Sequence, residues 1–158
     1  MQRVPMTPRG YSIVVAELRR HKEVLRPENV RAIEEARAHG DISENAEFDA
    51  AKERQAQLEG RTIELEMRVA AAEIIDVTKI TPSERVIFGV TVHLHEVETE
   101  KDVQYRIVSE EEADARAGLI TPTSPIGRAL LGRSEGDEVR VITPRGVREF
   151  EILEVKYI

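Results

Sequence analysis

The stretch Gly40-Asp41-Ile42-Ser43-Glu44-Asn45-Ala46-Glu47-Phe48 decides the fold that we predict for this chain. It separates two long helical patterns, and four acids between residues 41 and 49 precede the first base, Lys52. A short polar reversal between two long helices predicts an antiparallel helical hairpin with the acids at its apex. With about 30 residues per arm at ~1.5 Å rise per residue, such a hairpin extends roughly 45 Å.

The first arm is predicted to run from Thr7 to His39, with Thr7 as the N-cap, Pro8 at the first helical position and Gly40 as the stop. Pro27 lies inside this arm and removes one backbone donor, which predicts a kink. A break into two helices at Arg26-Pro27 is the alternative. The residues that recur at spacings of three and four are Tyr11, Val15, Leu18, Lys22, Leu25, Asn29, Ala32 and Ala36.

The second arm is predicted from Glu44 to Ile75, and its apolar seam follows a heptad pattern over more than three repeats. The seam residues are Phe48, Ala51, Gln55, Leu58, Thr62, Leu65, Val69 and Ala72. The Arg and Glu residues on both arms are interpreted as a solvated face, and His21 and His39 as solvated helix residues. Together the two arms predict an antiparallel coiled-coil hairpin.

After residue 76 the pattern changes to short strands and turns. Strand patterns cover 86–88, 90–97, 103–108, 139–142 and 147–157, and short helical patterns cover 110–117 and, after the cap Ser124, 126–131. The predicted fold class is therefore α+β, with a hairpin domain at residues 1–76, its apex at 40–48, and a small antiparallel-sheet domain at residues 77–158.

Composition excludes several classes of protein. Only 4% of the 158 residues are aromatic, 34% are charged, and the net charge is −7, which argues against binding free nucleic acid over a broad surface by counterion release. Cys is absent, so disulfides and Cys-based zinc sites are excluded. The start lacks the apolar run of a signal peptide, and no stretch approaches the ~20 apolar residues of a membrane span. We expect a cytoplasmic protein with no membrane partner.

The acidic pair Asp41 and Glu44 has two interpretations. Two carboxylates three residues apart suit Mg²⁺, which takes about six oxygen ligands, so other ligands must come from water or a partner. The same spacing is that of a capping box, in which Asp41 caps the second helix and Glu44 reaches back. The spacing leaves both interpretations open.

The stretch GDISENAEFDAAKE resembles the hairpin apex of the bacterial Gre transcript cleavage factors. The resemblance covers nearly the whole chain, including VPMTPRGY, EIIDVTKI, YRIVSEEEAD, SPIGRALLG and EFEILEVKYI. It implies an FKBP-like second domain that binds bacterial RNA polymerase at the rim of its secondary channel, and a coiled coil that enters the channel. It also implies a monomer that stimulates RNA hydrolysis by the polymerase in backtracked or arrested complexes and is not itself an enzyme.

The resemblance assigns roles to individual apex residues. Asp41 and Glu44 match the carboxylates that help hold a second Mg²⁺ and its attacking water, an ion shared with polymerase and not stably bound by the free protein. Arg37 and Lys52 match basic positions that contact the 3′ segment of the nascent RNA. Lys52 is often Arg in the family, and Lys lacks the planar guanidinium fork. Three further residues match apex support: Ser43, Asn45 and Phe48.

Other functions remain as alternatives. An inhibitor would use the same channel, but the resemblance associates that role with different apex acids. The FKBP-like domain suggests a peptidyl-prolyl isomerase, although it has few aromatic residues to line a proline pocket. A coiled-coil adaptor would have no chemistry. His93 and His95, two apart on a predicted strand, are interpreted as surface or packing residues, with a metal pair as the alternative.

Overall fold

The computed structural model describes residues 2–38 and 42–158, and for residues 42–45 it describes the backbone alone. The chain forms two compact units, one of residues 12–72 and one of residues 3–11 together with 73–158. The predicted α+β class is confirmed, with a helical hairpin followed along the chain by a small sheet domain. The sequence-based domain boundary after residue 76, like the FKBP likeness, stays a prediction.

The helical hairpin has two arms. Its elements are α1 (Pro8–Arg20), a π-helical segment (His21–Leu25), α2 (Arg26–Ala38) and α3 (Ile42–Ala71). Bonds between the arms join Lys22 to Glu66, Arg26 to Glu59, and the side chain of Asn29 to the Ala51 carbonyl. Because the partner's number falls as the first number rises, the two arms are antiparallel.

The first arm continues through Pro27 as a helix, as predicted, so the alternative of a break at Arg26-Pro27 is wrong, and the kink stays a prediction. Arg26 has helical angles (φ −63°, ψ −51°), and its N–H donates to the His21 carbonyl, five residues back. This wider turn is the π geometry, which accommodates one extra residue in a helix. Pro27 lacks an N–H, and the π segment lies immediately before it.

The buried face of the first arm follows the predicted seam at some positions and departs from it at others. Asn29 and Ala36 are buried as the seam predicts, but Lys22 and Ala32 are exposed and Val14 is fully buried. His21, interpreted as solvated, has a side chain that is only 11% exposed. Lys22 lies within the π segment, where the predicted spacing fails because it assumes an α-helix. On the second arm, which is uninterrupted, Thr62 and Leu65 are buried as predicted.

The second arm ends earlier than predicted, at Ala71 instead of Ile75. The next residues form β2 (Ala72–Ile74), which pairs with β1 (Val4–Met6) in a two-stranded sheet. The Ile75 N–H also donates to the Met6 carbonyl at 2.8 Å. Pairing with a distant segment overrides the helical pattern here.

The second unit has a five-stranded sheet with the order β5-β4-β3-β7-β6. Its elements are β3 (Thr91–Glu96), β4 (Lys101–Ile107), β5 (Leu119–Ile120), α4 (Pro125–Leu130), β6 (Glu138–Thr143) and β7 (Gly146–Lys156). All neighbours are antiparallel except β4 and β5, which are parallel. One face of the sheet packs into an apolar core that includes Val92, Leu94, Ile107, Leu130, Phe150 and Ile152.

Two local predictions in this unit are wrong, and one strand was missed. Residues 86–88 form no strand, although Val86 and Phe88 are buried in the core. Residues 110–117 are helical only as a 3₁₀ turn at Ala115–Ala117. The strand β5 and its parallel pairing were not predicted. The Ser124 cap is confirmed, because the Gly127 N–H donates to Ser124 Oγ at 3.1 Å.

Candidate functional site

The candidate site is the end of the hairpin where α2 stops and α3 starts. The last described residue of α2 is Ala38, and α3 starts at Ile42. Asp41 lies outside the described residues, and the side chains of Ser43, Glu44 and Asn45 are not described. By position, Asp41 immediately precedes α3 and Glu44 is its third residue, which is the spacing of a capping box. The cap and the metal role therefore both stay predictions.

The described part of the site joins the arms through Arg37 and Phe48. The guanidinium carbon of Arg37 lies 5.8 Å from the centroid of the Phe48 ring, within the range of a cation–π interaction. Phe48 is half-buried and Arg37 is exposed. Arg37 therefore contacts the ring that was predicted to support the apex, and its positive charge lies beside the start of α3.

Lys52 lies one turn beyond Phe48 on α3. Its Nζ is exposed and donates to Oε1 of Gln55 at 3.2 Å. Both basic residues predicted to contact RNA therefore flank Phe48. Among the side chains that the structure describes, Arg37 contacts the Phe48 ring and Lys52 contacts the Gln55 amide. An exposed ammonium bonded to a neutral amide can exchange that bond for a phosphate oxygen at little cost.

Charged pairs join the arms further from the apex. Arg26 donates two hydrogen bonds to Glu59, at 2.7 and 3.0 Å, and this pairing raises the pKa of Arg26. Lys22 Nζ lies 2.8 Å from Oε1 of Glu66, and this hydrogen bond lowers the pKa of Glu66. Arg61 of α3 reaches Glu17 of α1 at 3.1 Å. Part of the face interpreted as solvated thus connects the arms.

Both parts of the chain match one family. Residues 4–74 match the family described as "Transcription elongation factor, N-terminal", and residues 81–157 match "Transcription elongation factor, GreA/GreB, C-term". The chain belongs to the GreA/GreB family. Transcription elongation factor GreA of Neisseria meningitidis serogroup A is 52% identical over 158 residues, and the match covers 100% of each of the two chains. The GreA of Anaeromyxobacter sp. (strain K) is 55% identical over 158 residues, covering 100% of this chain and 95% of its own.

Solved structures include one of GreA factor homolog 1 (Gfh1) from Thermus thermophilus. It is 28% identical, covers 98% of this chain and 99% of its own, and superposes with a TM-score of 0.45. Membership of the GreA/GreB family rests on the sequence matches, and it makes this chain a transcription elongation factor.

Among the residues that the structure describes in this GreA/GreB chain, the histidines form no metal-binding cluster. His95 Nδ1 lies 2.7 Å from Oδ1 of Asp102 on the neighbouring strand, and His93 is half-buried two residues away. Among residues 2–38 and 42–158, no cluster of three or more His, Asp or Glu side chains is placed to bind a metal. Over the same described ranges, none of the helices combines the length and apolarity that crossing a membrane requires.

Sequence reasoning missed several residues that hold the arms of the GreA/GreB hairpin together. Arg26 and Glu59 were counted with the solvated charges, and Asn29 was counted only as a seam position. A signal was available for Asn29, since a polar residue at a heptad core position often specifies register. The cross-arm pairs carried no such signal, because their partners depend on how the two helices align.

Proposed function

We propose that this chain binds bacterial RNA polymerase through the secondary channel and stimulates the polymerase's own hydrolysis of nascent RNA in backtracked or arrested complexes. The observation that carries the proposal is the acidic pair Asp41 and Glu44 at the start of α3, in a chain of the GreA/GreB family. On this proposal the protein works as a cytoplasmic monomer and does not hydrolyse RNA alone.

The two units have different tasks in this proposal. The hairpin provides reach, since the 30 residues of α3 span about 45 Å at ~1.5 Å per residue. Residues 73–158, with 3–11, provide the domain that binds the rim of the channel. The hairpin's length is what allows carboxylates to reach a catalytic centre inside another protein.

The donor set at the apex fits Mg²⁺, because Asp41 and Glu44 offer the carboxylate oxygens that this ion prefers. Two carboxylates leave most of its coordination shell to polymerase and water, so the ion is shared and is not held stably by the free chain. When bound, such an ion supplies an activated water for phosphodiester hydrolysis. Asp41 and Glu44 raise its occupancy, and Arg37 and Lys52 hold the 3′ segment of the RNA. Apex support comes from Ser43, Asn45 and Phe48.

The test is RNA shortening by a stalled, backtracked polymerase. The double variant Asp41→Asn, Glu44→Gln removes both charges and retains capping ability, because Asn caps as well as Asp and Gln can replace Glu in a capping box. We expect RNA cleavage to fall to the rate of polymerase alone, with helix content and polymerase affinity retained.

The matched control is the double variant Glu47→Gln, Asp49→Asn, which removes the same charge from exposed positions of α3. We expect this variant to stimulate cleavage normally. Full stimulation by the Asp41→Asn, Glu44→Gln variant would refute the proposal. Polymerase binding without any RNA shortening by the parent would indicate an adaptor, and suppression of the polymerase's basal cleavage would indicate an inhibitor.

A further inference from the structure

Helix α2 has little apolar surface with which to align itself on α3. Its buried residues are Asn29 and Ala36, whereas Val30 is 40% exposed. In coiled coils, large apolar side chains inserted between residues of the facing helix stabilise the register. Because α2 buries Ile33 only in part and no other large apolar side chain more deeply, packing alone specifies its register on α3 weakly.

Asn29 makes a direct bond between the two arms. Its Nδ2 donates to the backbone carbonyl of Ala51 at 3.1 Å, and its Oδ1 is buried with no hydrogen-bond partner among the described residues. An unpaired buried acceptor costs free energy. A buried Asn that lowers stability yet selects one alignment is a known device in helical pairs. One turn earlier, Arg26 makes its two bonds to Glu59.

Movement of the π segment along the helix would change the alignment of the first arm. The segment spans His21–Leu25 and ends where Arg26 begins. If the extra residue moved along the helix toward the apex, each residue it passed would rotate by about 100° relative to α3. Once the extra residue had passed Arg37, this rotation would take Arg37 away from Phe48. Arg26 and Asn29 lie between the π segment and the apex, where they oppose this movement.

We propose that Asn29, assisted by Arg26, is a positioning residue that fixes the register of α2 on α3. The residues that connect these helices include Asp41, so one register presents the acidic pair in one place. The consequence for RNA cleavage rests on the proposed function, whereas the consequence for register does not.

Distances between spin labels test the register directly. The chain has no Cys, so labels at Glu34→Cys and Glu53→Cys, both exposed, report on α2 and α3 without interference. We expect one narrow distance distribution for the parent. With Asn29→Leu, which has a similar shape and no polar atoms, we expect a broadened distribution or a second distance. Asn29→Ala is the second variant, and its distance distribution should also broaden or show a second distance.

The matched control is Thr62→Val. Thr62 is also a buried polar residue of the seam, but its Oγ1 donates to the Leu58 carbonyl of its own helix at 2.8 Å. Removal of the Thr62 hydroxyl should therefore leave the distance distribution and RNA cleavage unchanged.

Stability and activity separate positioning from simple stabilisation. Asn29→Leu removes an unpaired buried oxygen, so the melting temperature should equal or exceed that of the parent. RNA cleavage should fall about tenfold or more, because misplacement by about 1 Å is enough to slow catalysis strongly. An unchanged distance distribution would overturn the proposal, and a broadened one with unchanged cleavage would overturn its consequence for RNA cleavage. If the parent itself does not stimulate cleavage, the proposed function fails and the distances still decide the register.

Discussion

At the scale of single residues, Glu96 is a buried carboxylate that is paired across the sheet. It is 8% exposed, and the Arg148 guanidinium on β7 donates to its Oε2 at 2.6 Å. Thr99 Oγ1 donates to Oε1 at 2.8 Å. The Arg148 hydrogen bond is the main cause of the lowered pKa of Glu96. A buried ion pair of this kind is costly to break, because the remaining charge is left without a partner.

The lowered pKa predicts how Glu96 affects stability at different pH values. A glutamate in the unfolded chain titrates near pKa ~4.3, so the contribution of Glu96 is complete above that pH and is lost as pH falls toward its lower folded value. At pH 7, Glu96→Gln should lower the free energy of unfolding by about 1–3 kcal/mol. Urea unfolding at pH 7 and below pH 4 should show this difference shrinking on acidification. The exposed neighbour Glu98, changed to Gln, serves as the control. A difference that grows on acidification would contradict the prediction.

At the scale of secondary-structure elements, substitutions at two helical glycines, Gly60 and Gly127, are predicted to have opposite effects on stability. A Cβ at Gly60 of α3 would meet no atom within 4 Å, whereas one at Gly127 of α4 would lie 2.0 Å from the Thr121 carbonyl oxygen. Gly60→Ala should raise the free energy of unfolding by about 0.5–1 kcal/mol. Gly127→Ala should lower it, because backbone would have to move. Urea unfolding followed by circular dichroism measures both, and stabilisation by both variants would refute the reasoning.

Elements whose signals are local were predicted well. Thr7 and Ser124 were recognised as helix caps, and the bonds to the N–H groups of Gly10 and Gly127 confirm them. The π segment was missed, because Pro27 indicates where the helical hydrogen bonding is disturbed and does not indicate which helical geometry results. Strand β5 was missed because its two residues are too few to show the alternating apolar pattern of a strand. The site itself was predicted from Asp41 and Glu44 by resemblance, since the spacing also fits a cap.

At the scale of the whole molecule, residues 3–11 belong to the second unit, although the hairpin follows them in the sequence. Met6 is fully buried, and β1 pairs with β2. Thr7 Oγ1 accepts from the Gly10 N–H and donates to the buried carboxylate of Glu112. The sequence pattern could not predict this arrangement, because Thr7 and Glu112 are 105 positions apart. Thr7, which the local sequence identifies as a helix cap, thus also makes a tertiary contact.

This double role predicts the effect of Thr7→Val in the full chain. The substitution keeps the shape of the side chain but leaves Glu112 without its hydroxyl donor and the Gly10 N–H without its acceptor. A hydrogen bond to a charged group is worth about 1.5–3 kcal/mol, so the amides of Gly10 and Ile75 should exchange with solvent about tenfold faster or more. Hydrogen exchange measured residue by residue provides the check. Ser124→Ala, which removes the α4 cap, should speed exchange at Gly127 and leave Ile75 unchanged. Equal exchange at Ile75 in the parent and in Thr7→Val would mean that β1 is held in place without the Thr7–Glu112 bond.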